Sequence, residues 1–483
     1  HRGGPPYSVS VTFESLADLA ANRDMLLVFS EADRVSTAVR NISFFVQDTW
    51  RVRPRLTVTY GSRWELNPSS PSVRSSAGPD TTAHDAIEVP GRGASLWRMG
   101  YANFGPRLGI AYGLTAEGRT VLRAGAGVYY DAGFSAQADA VNGAPFNSLR
   151  MSFGMPYAAR SVSMMPVLIQ YGVAPGLRLP YSVEWNVTLE HGFSGGSAAS
   201  VSYLGSAGRA LLRREVYLRP DIAAVEVAVA TNHGSSDYNA LQLQYRRKAA
   251  RGLQGIVSYT WSHSIDTVSW SSALLLVHPG FSARGDRGSS NFDVRHSLAA
   301  AFAYDFPQSR FRLARGWTLH GMFRARTGFP IDVLTRPDAF GLNMSNVVRP
   351  DLNPGVPVWI ADPNAPGGAR LNQAAFSAPG DLVQGNLGRN TIGGFGMHQL
   401  DLALRRQFQL SERAAVQFRL EAFNALNHPN FGDPVRFLIS PLFGRPASML
   451  NLMLGSGTPS SGLAPALQVG GPRSLQLGLR FEF

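Results

Sequence analysis

Three features of the sequence predict an all-β fold, a transmembrane antiparallel up-and-down β-barrel. Apolar and polar residues alternate with period two in segment after segment of about ten residues. The connections between those segments alternate between short and long, and no run of about 18 apolar residues is present to cross a membrane as a helix.

The alternating segments fall at 7–13, 41–51, 55–66, 103–114, 119–130, 182–193, 198–206, 238–248, 253–263, 293–305, 315–326, 397–408, 414–425 and 473–483, about fourteen strands. Between 55 and 66, Leu56, Val58, Tyr60, Trp64 and Leu66 share one face, and Arg55, Thr57, Thr59, Arg63 and Glu65 the other. Successive strand side chains point to opposite faces, so each segment has one apolar and one polar side. Arg123, Gln242, Gln244, Arg246, His320, Arg324, Arg405 and Arg419 fall on the polar side. Tyr60, Trp64, Tyr245, Tyr259, Trp261 and Trp317 fall on the apolar side near strand ends, where interfacial aromatics of a membrane barrel sit. One segment breaks the pattern: residues 15–27 read as a helix of about three turns with Ser15 as N-cap.

Short turns are expected near 52–54, 115–118, 194–197, 249–252, 306–314 and 409–413, with long segments between them at 67–102, 131–181, 207–237, 264–292, 327–396 and 426–472. Long structureless loops are rare in compact soluble domains, and one at every second connection is a membrane-barrel pattern of short periplasmic turns and long extracellular loops. In a soluble sandwich the apolar faces would pack on each other; in a barrel they meet lipid.

Cysteine is absent, which excludes disulfides, thiolate metal sites and cysteine nucleophiles. The net charge of +12 invites a nucleic-acid reading, but Lys248 is the only lysine and the arginines are scattered along the chain. Some of their planar forks suit lipopolysaccharide phosphates instead. No phosphate-binding loop, HExxH or GxSxG motif occurs, and Gly125–Tyr130 lacks the third glycine of a dinucleotide fingerprint. No cofactor is expected, and no catalytic residues. Arg284, Gly285 and Asp286 spell an RGD tripeptide, and Asp266, Asp286, Asp293 and Asp305 match no calcium-loop spacing.

Several segments together resemble the barrel region of Oar-like TonB-dependent receptors, which begin with a carboxypeptidase-regulatory-like domain and a plug. They are FFVQDTWRVRPRLTVTYGSRWE (44–65), NFGPRLGIAY (103–112), TVLRAGAGVYYD (120–131), NFDVRHSLAAAFAYDFP (291–307) and FNALNHPNFGDP (423–434). The closing LQLGLRFEF ends on an aromatic residue, as outer-membrane barrels do. The resemblance implies a Gram-negative outer-membrane location, outer-membrane lipid and lipopolysaccharide as surroundings, and a barrel of about 22 strands around a plug. It also implies that Leu475, Leu477, Leu479, Phe481 and Phe483 act as a signal to the barrel assembly machinery.

On this reading residues 1–483 are the C-terminal part of one barrel domain. The regulatory-like domain, the plug and the first strands lie outside the sequence, and contact with the TonB complex would run through that missing N-terminal region. The function implied is ligand capture by extracellular loops, with 131–181 and 327–396 the loops to search, and gated passage into the periplasm. The ligand itself is not legible. Two alternatives are a structural or adhesive barrel without transport, and a soluble basic β-protein binding nucleic acid, which would need arginines clustered on one face.

Overall fold

The computed structural model describes residues 7–12, 20, 26–32, 41–66, 100–131, 147–153, 167–174, 177–218, 226–250, 252–269, 274–277, 286–307, 316–335, 349–379, 383–450 and 471–483. Its main body is an antiparallel meander of thirteen strands. They are β1 (Ile42–Arg53), β2 (Leu56–Leu66), β3 (Phe104–Gly113), β4 (Thr120–Tyr130), β5 (Tyr181–Gly192), β6 (Ser197–Leu218) and β7 (Glu226–Ala250). The rest are β8 (Leu253–Asp266), β9 (His296–Asp305), β10 (Trp317–Arg326), β11 (Met397–Gln409), β12 (Ala415–Phe423) and β13 (Ser474–Glu482). Each pairs antiparallel with the next in sequence.

Register carries one apolar face through the whole meander. Tyr60 lies opposite Leu108, Leu122 opposite Leu189, Val201 opposite Leu243, Leu404 opposite Leu420, and Leu420 opposite Leu477. These residues cover no core: Tyr60, Leu108, Leu189, Val201, Leu243 and Leu477 are all exposed. A soluble sheet would bury such a face against a second layer, whereas a barrel wall presents it to lipid. The opposite face carries Arg123, Gln242, Arg246, His320, Arg324, Arg405 and Arg419, as the alternation predicts. Glycine is required where an aromatic ring lies flat on the neighbouring strand. A Cβ on Gly205 would collide with the Trp185 indole, and one on Gly321 with the Phe302 ring.

The sequence-predicted connections hold at most positions, with tight turns such as Pro54–Arg55 at one end and long segments at the other. Three expectations are corrected. Residues 207–237 do not form a loop: β6 and β7 run to 22 and 25 residues, about twice the 9–11 that a tilted strand needs to cross the hydrocarbon. The alternation is interrupted there by a bulge, with register shifts between Gly208 and Arg213 and a left-handed Ala210 at φ 52°.

The predicted strand at 7–13 is a strand, Tyr7–Thr12, but it lies outside the meander. It pairs with Leu26–Ala32, which pairs in turn with Asn147–Phe153. That accessory sheet continues through Val167–Val173 to the far half of β7 and closes on Leu274–Val277 beside β6. Of the expected helix at 15–27, Ala20 is helical and Leu26 and Leu27 instead open a strand; residues 15–19 and 21–25 lie outside the described residues.

Among the described residues β1 pairs only with β2, and β13 only with β12. In an up-and-down meander of thirteen strands the first and last run in the same direction, so direct closure would be parallel. An antiparallel barrel needs an odd number of further strands between them.

Candidate functional site

The two ends of the wall are built differently. At the loop end, Trp64 stacks on Phe104 with ring centroids 5.8 Å apart and neighbours Phe44 at 6.1 Å, while its Nε1 donates to the Tyr101 carbonyl at 2.8 Å. Tyr130 and Tyr181 lie 5.6 Å apart on the next pair of strands. At the turn end, Tyr304 packs on Phe306 at 5.3 Å and Trp317 on Phe418 at 5.9 Å. The Arg406 guanidinium covers Phe408 at 4.2 Å. Amphipathic rings at both ends of an apolar band mark two membrane–water interfaces. Of the aromatics picked out by sequence, Tyr60 and Tyr259 sit mid-strand, and the Tyr60 hydroxyl donates to Asp48 Oδ2 at 3.1 Å.

Above the loop end of β10, β11 and β12, the long connections fold on themselves. Ile331, Val333, Leu371, Ala375, Phe376, Leu387, Ile392, Leu438 and Phe443 form a buried core, flanked by Leu352, Val356, Val358 and Trp359. Small two-stranded pairings brace it: Pro330–Ile331 with Ile392–Gly393, Asp351–Leu352 with Phe376–Ser377, and Trp359–Ala361 with Ala369–Leu371. A bridge from Leu334 to Phe437 ties the 327–396 connection to the one after β12. The core holds these connections in a packed arrangement.

Buried ion pairs fasten this cap to the 267–295 connection. Arg389 Nη1 donates to Asp266 Oδ1 at 2.7 Å and to the carbonyls of Asp266 and Asp286, each at 3.1 Å; its Nη2 reaches Ser269 Oγ at 2.8 Å. Arg349 Nη2 donates to Asp286 Oδ1 at 3.2 Å. Asn390 Nδ2 donates to the Ser289 carbonyl and to Asn291 Oδ1, both at 2.7 Å. Asp286 is therefore 4% exposed and engaged internally, so the RGD tripeptide does not present its carboxylate. Burial pushes the Asp286 carboxyl above its usual range, with Arg349 pulling it back.

The other candidate carboxylates also have partners. Asp293 accepts the Ser264 N–H at 2.7 Å, and Asp305 accepts the Thr318 hydroxyl at 2.7 Å. Among the described residues no group of three or more His, Asp or Glu side chains is placed to hold a metal ion.

Asp433 in the cap supplies a pH test. Burial pushes its carboxyl up to about 6, against the pull of Arg326 and Arg436. A carboxyl whose folded pKa lies above its unfolded value holds its proton more tightly when folded. Its ionised form thus opposes folding above about pH 6, and the penalty is relieved as pH falls from there toward the unfolded value. Asp433→Asn is expected to slow hydrogen exchange of residues 430–450 relative to wild type at pH 7.5 and to match wild type at pH 4.5. A mutant that exchanges faster at pH 7.5 would show that Asp433 works as an ionised anchor.

On the polar face, a groove of about 440 Å³ is lined by Gln47, Thr59, Arg107, Tyr129, Glu184 and Asn186, with Gly61, Gly109 and Gly125 at its floor. The Arg107 guanidinium rests 4.6 Å from the Tyr129 ring centre. Sequence reasoning missed this groove, because its residues come from several strands and no local pattern joins them.

The family model described as an outer membrane beta barrel domain matches residues 4–452. This chain belongs to that family. An outer membrane β-barrel domain explains the lipid-facing band, the two aromatic girdles and the one-sided placement of the long loops, and it locates the chain in the Gram-negative outer membrane. No curated protein matches the sequence.

Among solved structures, the outer membrane transporter YddB from Escherichia coli is 10% identical with a TM-score of 0.52, covering 99% of this chain and 48% of that one. The ferripyoverdine receptor of the Pseudomonas aeruginosa outer membrane, bound to ferripyoverdine, is 11% identical with a TM-score of 0.46, covering 99% and 47%. At 10% identity the likeness to the YddB structure is one of fold. The chain spans about half the length of these solved chains.

In this barrel domain the residues expected to form an assembly signal lie on β13. Leu475, Leu477, Leu479 and Phe481 make one exposed apolar row, 64–71% accessible, and Phe483 is fully exposed beyond it. Leu475, Leu477, Leu479 and Phe481 stand opposite Ala422, Leu420, Phe418 and Val416 on β12.

Proposed function

We propose that this chain is the barrel portion of a TonB-dependent outer-membrane receptor that captures a ligand on its extracellular loops and passes it to the periplasm when the lumen is opened. The observation that carries the reading is the cap. An ordered hydrophobic core and buried ion pairs in the connections at one rim are features of a recognition surface, and a wall serving only as structure has no use for them. The polar lumen face and its glycine-floored groove support passage of polar cargo.

The work is binding and gating, with no bond made or broken by the chain. Contact with the TonB complex belongs to the N-terminal region of the whole protein, along with the plug and an odd number of further barrel strands. A regulatory-like domain of the Oar type would precede them.

The test is genetic. A strain lacking the whole gene is compared with its complemented parent for growth on limiting ferric chelates, glycans and peptides. Loss of growth on one nutrient class, restored by the gene and abolished by uncoupling the inner-membrane proton gradient, is the expected result. Equal growth on every class, with altered surface adhesion, would favour the structural or adhesive alternative.

We further propose that the β13 row together with Phe483 is read by the barrel assembly machinery. Deleting Phe481–Phe483 from the full-length protein is expected to lower the heat-modifiable barrel in the outer membrane several-fold with synthesis unchanged. Normal assembly of the truncated protein would overturn this.

A further inference from the structure

The polar residues at the loop end of β7 and β8 divide by face. On β8 and the connection after it, Ser264, Asp266 and Ser290 turn inward and are buried beneath the cap. Ile265 and Ser289 alternate with them and so turn outward, and Ile265 stands opposite Asp237 of β7. Asp237 and Asn239 continue the row of Leu241, Leu243 and Tyr245, the lipid-facing side of β7. At about 3.4 Å per residue and a tilt of about 45°, Asp237 stands about 10 Å beyond the level where Leu241 meets Trp261. That height belongs to the headgroups of the outer leaflet, which in a Gram-negative outer membrane are the phosphorylated sugars of lipopolysaccharide.

Two guanidiniums converge on Asp237 there. Arg209 Nη2 donates to Oδ1 at 2.7 Å, and Arg287 Nη2 donates to Oδ2 at 2.8 Å. Arg209 is fixed further through its Nη1, which donates to the carbonyls of Gly208 and Ser236, each at 2.9 Å. Across the β5–β6 ladder from Arg209 lies Tyr181, which neighbours Tyr130 in the girdle. One carboxylate offsets one of the two charges, so the trio is net positive. Both guanidiniums keep an outer edge open, 42% and 43% accessible. Exposed ion pairs contribute little to stability, so stability does not account for two arginines gathered on one acid.

We propose that Arg209 and Arg287, held side by side by Asp237, bind a phosphate of lipopolysaccharide on the outer wall of the barrel. Planar guanidinium forks match phosphate oxygens, and Asp237 acts as the positioning residue that fixes their spacing. His263 and Ser289, 3.3 Å apart on the same side, add hydrogen-bonding groups beside the phosphate. Toward the membrane, the Tyr203 hydroxyl donates to Asn239 Oδ1 at 2.7 Å, and the exposed Trp261 ring gives the glycolipid's sugar and first acyl carbons an amphipathic surface. The site lies outside the lumen and does not depend on the transport reading.

The probe is lipid A carrying both of its phosphates, titrated into the purified full-length protein in detergent and followed by native mass spectrometry. Lipid A stripped of its phosphates is expected to bind about tenfold more weakly, and Arg287→Gln to weaken binding of the phosphorylated lipid about tenfold, the scale of one charge-assisted contact. Arg209→Gln should lose at least as much. Arg413→Gln, in the turn at the opposite end of the wall, should bind as wild type. Arg287→Gln is the decisive variant, because Arg287 takes no part in the strand ladders; heat-modifiability confirms that each variant is folded. Equal binding of the two lipids would assign the affinity to the acyl chains and overturn the proposal. So would absence of lipid A binding, or undiminished binding in folded Arg287→Gln. Full displacement of lipid A by millimolar inorganic phosphate would overturn it in favour of a site for the free anion.

Discussion

Leu420→Arg in the full-length protein is expected to abolish most of the assembled barrel, while Gln417→Arg, three positions earlier on the same strand, should leave it close to wild type. Leu420 sits in a row of leucines that crosses four strands, opposite Leu404 and Leu477, with Leu319 beyond Leu404. An arginine at the middle of a lipid-facing strand costs about 2–4 kcal/mol, falling toward zero at the interfaces. Gln417 lies on the other face, opposite Gln407 and Arg480, where an added cation meets water and polar groups.

Leu420→Ala separates this from a soluble reading of the same strand. In a close-packed core, leucine to alanine leaves a cavity and costs about 2–5 kcal/mol. Against lipid, the acyl chains fill the space and the loss is small. Heat-modifiability on gels and yield in the outer-membrane fraction measure all three variants. Equal losses for Leu420→Arg and Gln417→Arg, or a severe defect in Leu420→Ala, would mean that the face of β12 is not lipid-facing.

The strands were legible because period-two patterning is local: a strand whose two sides meet different media records both in alternate letters. That is why Leu56–Leu66 and Ser474–Glu482 could be bounded to within a residue or two. The extension of β6 was not legible, since the bulge around Ala210 shifts which residues share a face and the alternation lapses just where the strand leaves the wall. Tyr7–Thr12 shows the converse limit. Alternation marks it as a strand but does not say which strand it pairs with.

The candidate site was less visible. The cap segments are rich in proline and glycine and carry no period, so Val333 and Leu371 read as loop residues although both are fully buried. Ion pairs such as Arg389 with Asp266 span 123 positions, and His398 at the start of β11 stacks on His428 in the connection after β12. Neither leaves a signature within any short window of sequence. Asp286 carried a misleading one, because an RGD tripeptide says nothing about whether its carboxylate is already bound.

Arg389→Ala should loosen the cap without unfolding the wall. The guanidinium is 6% accessible and makes five hydrogen bonds, to Asp266 Oδ1, the Asp266 and Asp286 carbonyls, Ser269 Oγ and Asn291 Oδ1. Removing it strands the Asp266 carboxylate, 3% exposed, with the Ser269 hydroxyl at 2.8 Å as its remaining side-chain donor. Breaking one partner out of a buried ion pair costs about 3–5 kcal/mol, far more than the pair contributes in net stability. The cost falls on the connections that Arg389 joins, because the wall strands keep their own ladders. Hydrogen exchange in residues 264–269, 286–293 and 383–396 should therefore accelerate by two or more orders of magnitude, while β3, β4 and β5 exchange as in wild type. Arg389→Lys keeps the charge but loses the planar fork, and is expected to fall between the two. Arg389→Met combined with Asp266→Asn removes both charges and should recover much of the protection, since the stranded carboxylate is the main source of the penalty. Unchanged exchange in Arg389→Ala would mean the cap holds to the rim through its apolar core alone. Acceleration spread evenly over the wall strands would mean cap and barrel fold as one unit.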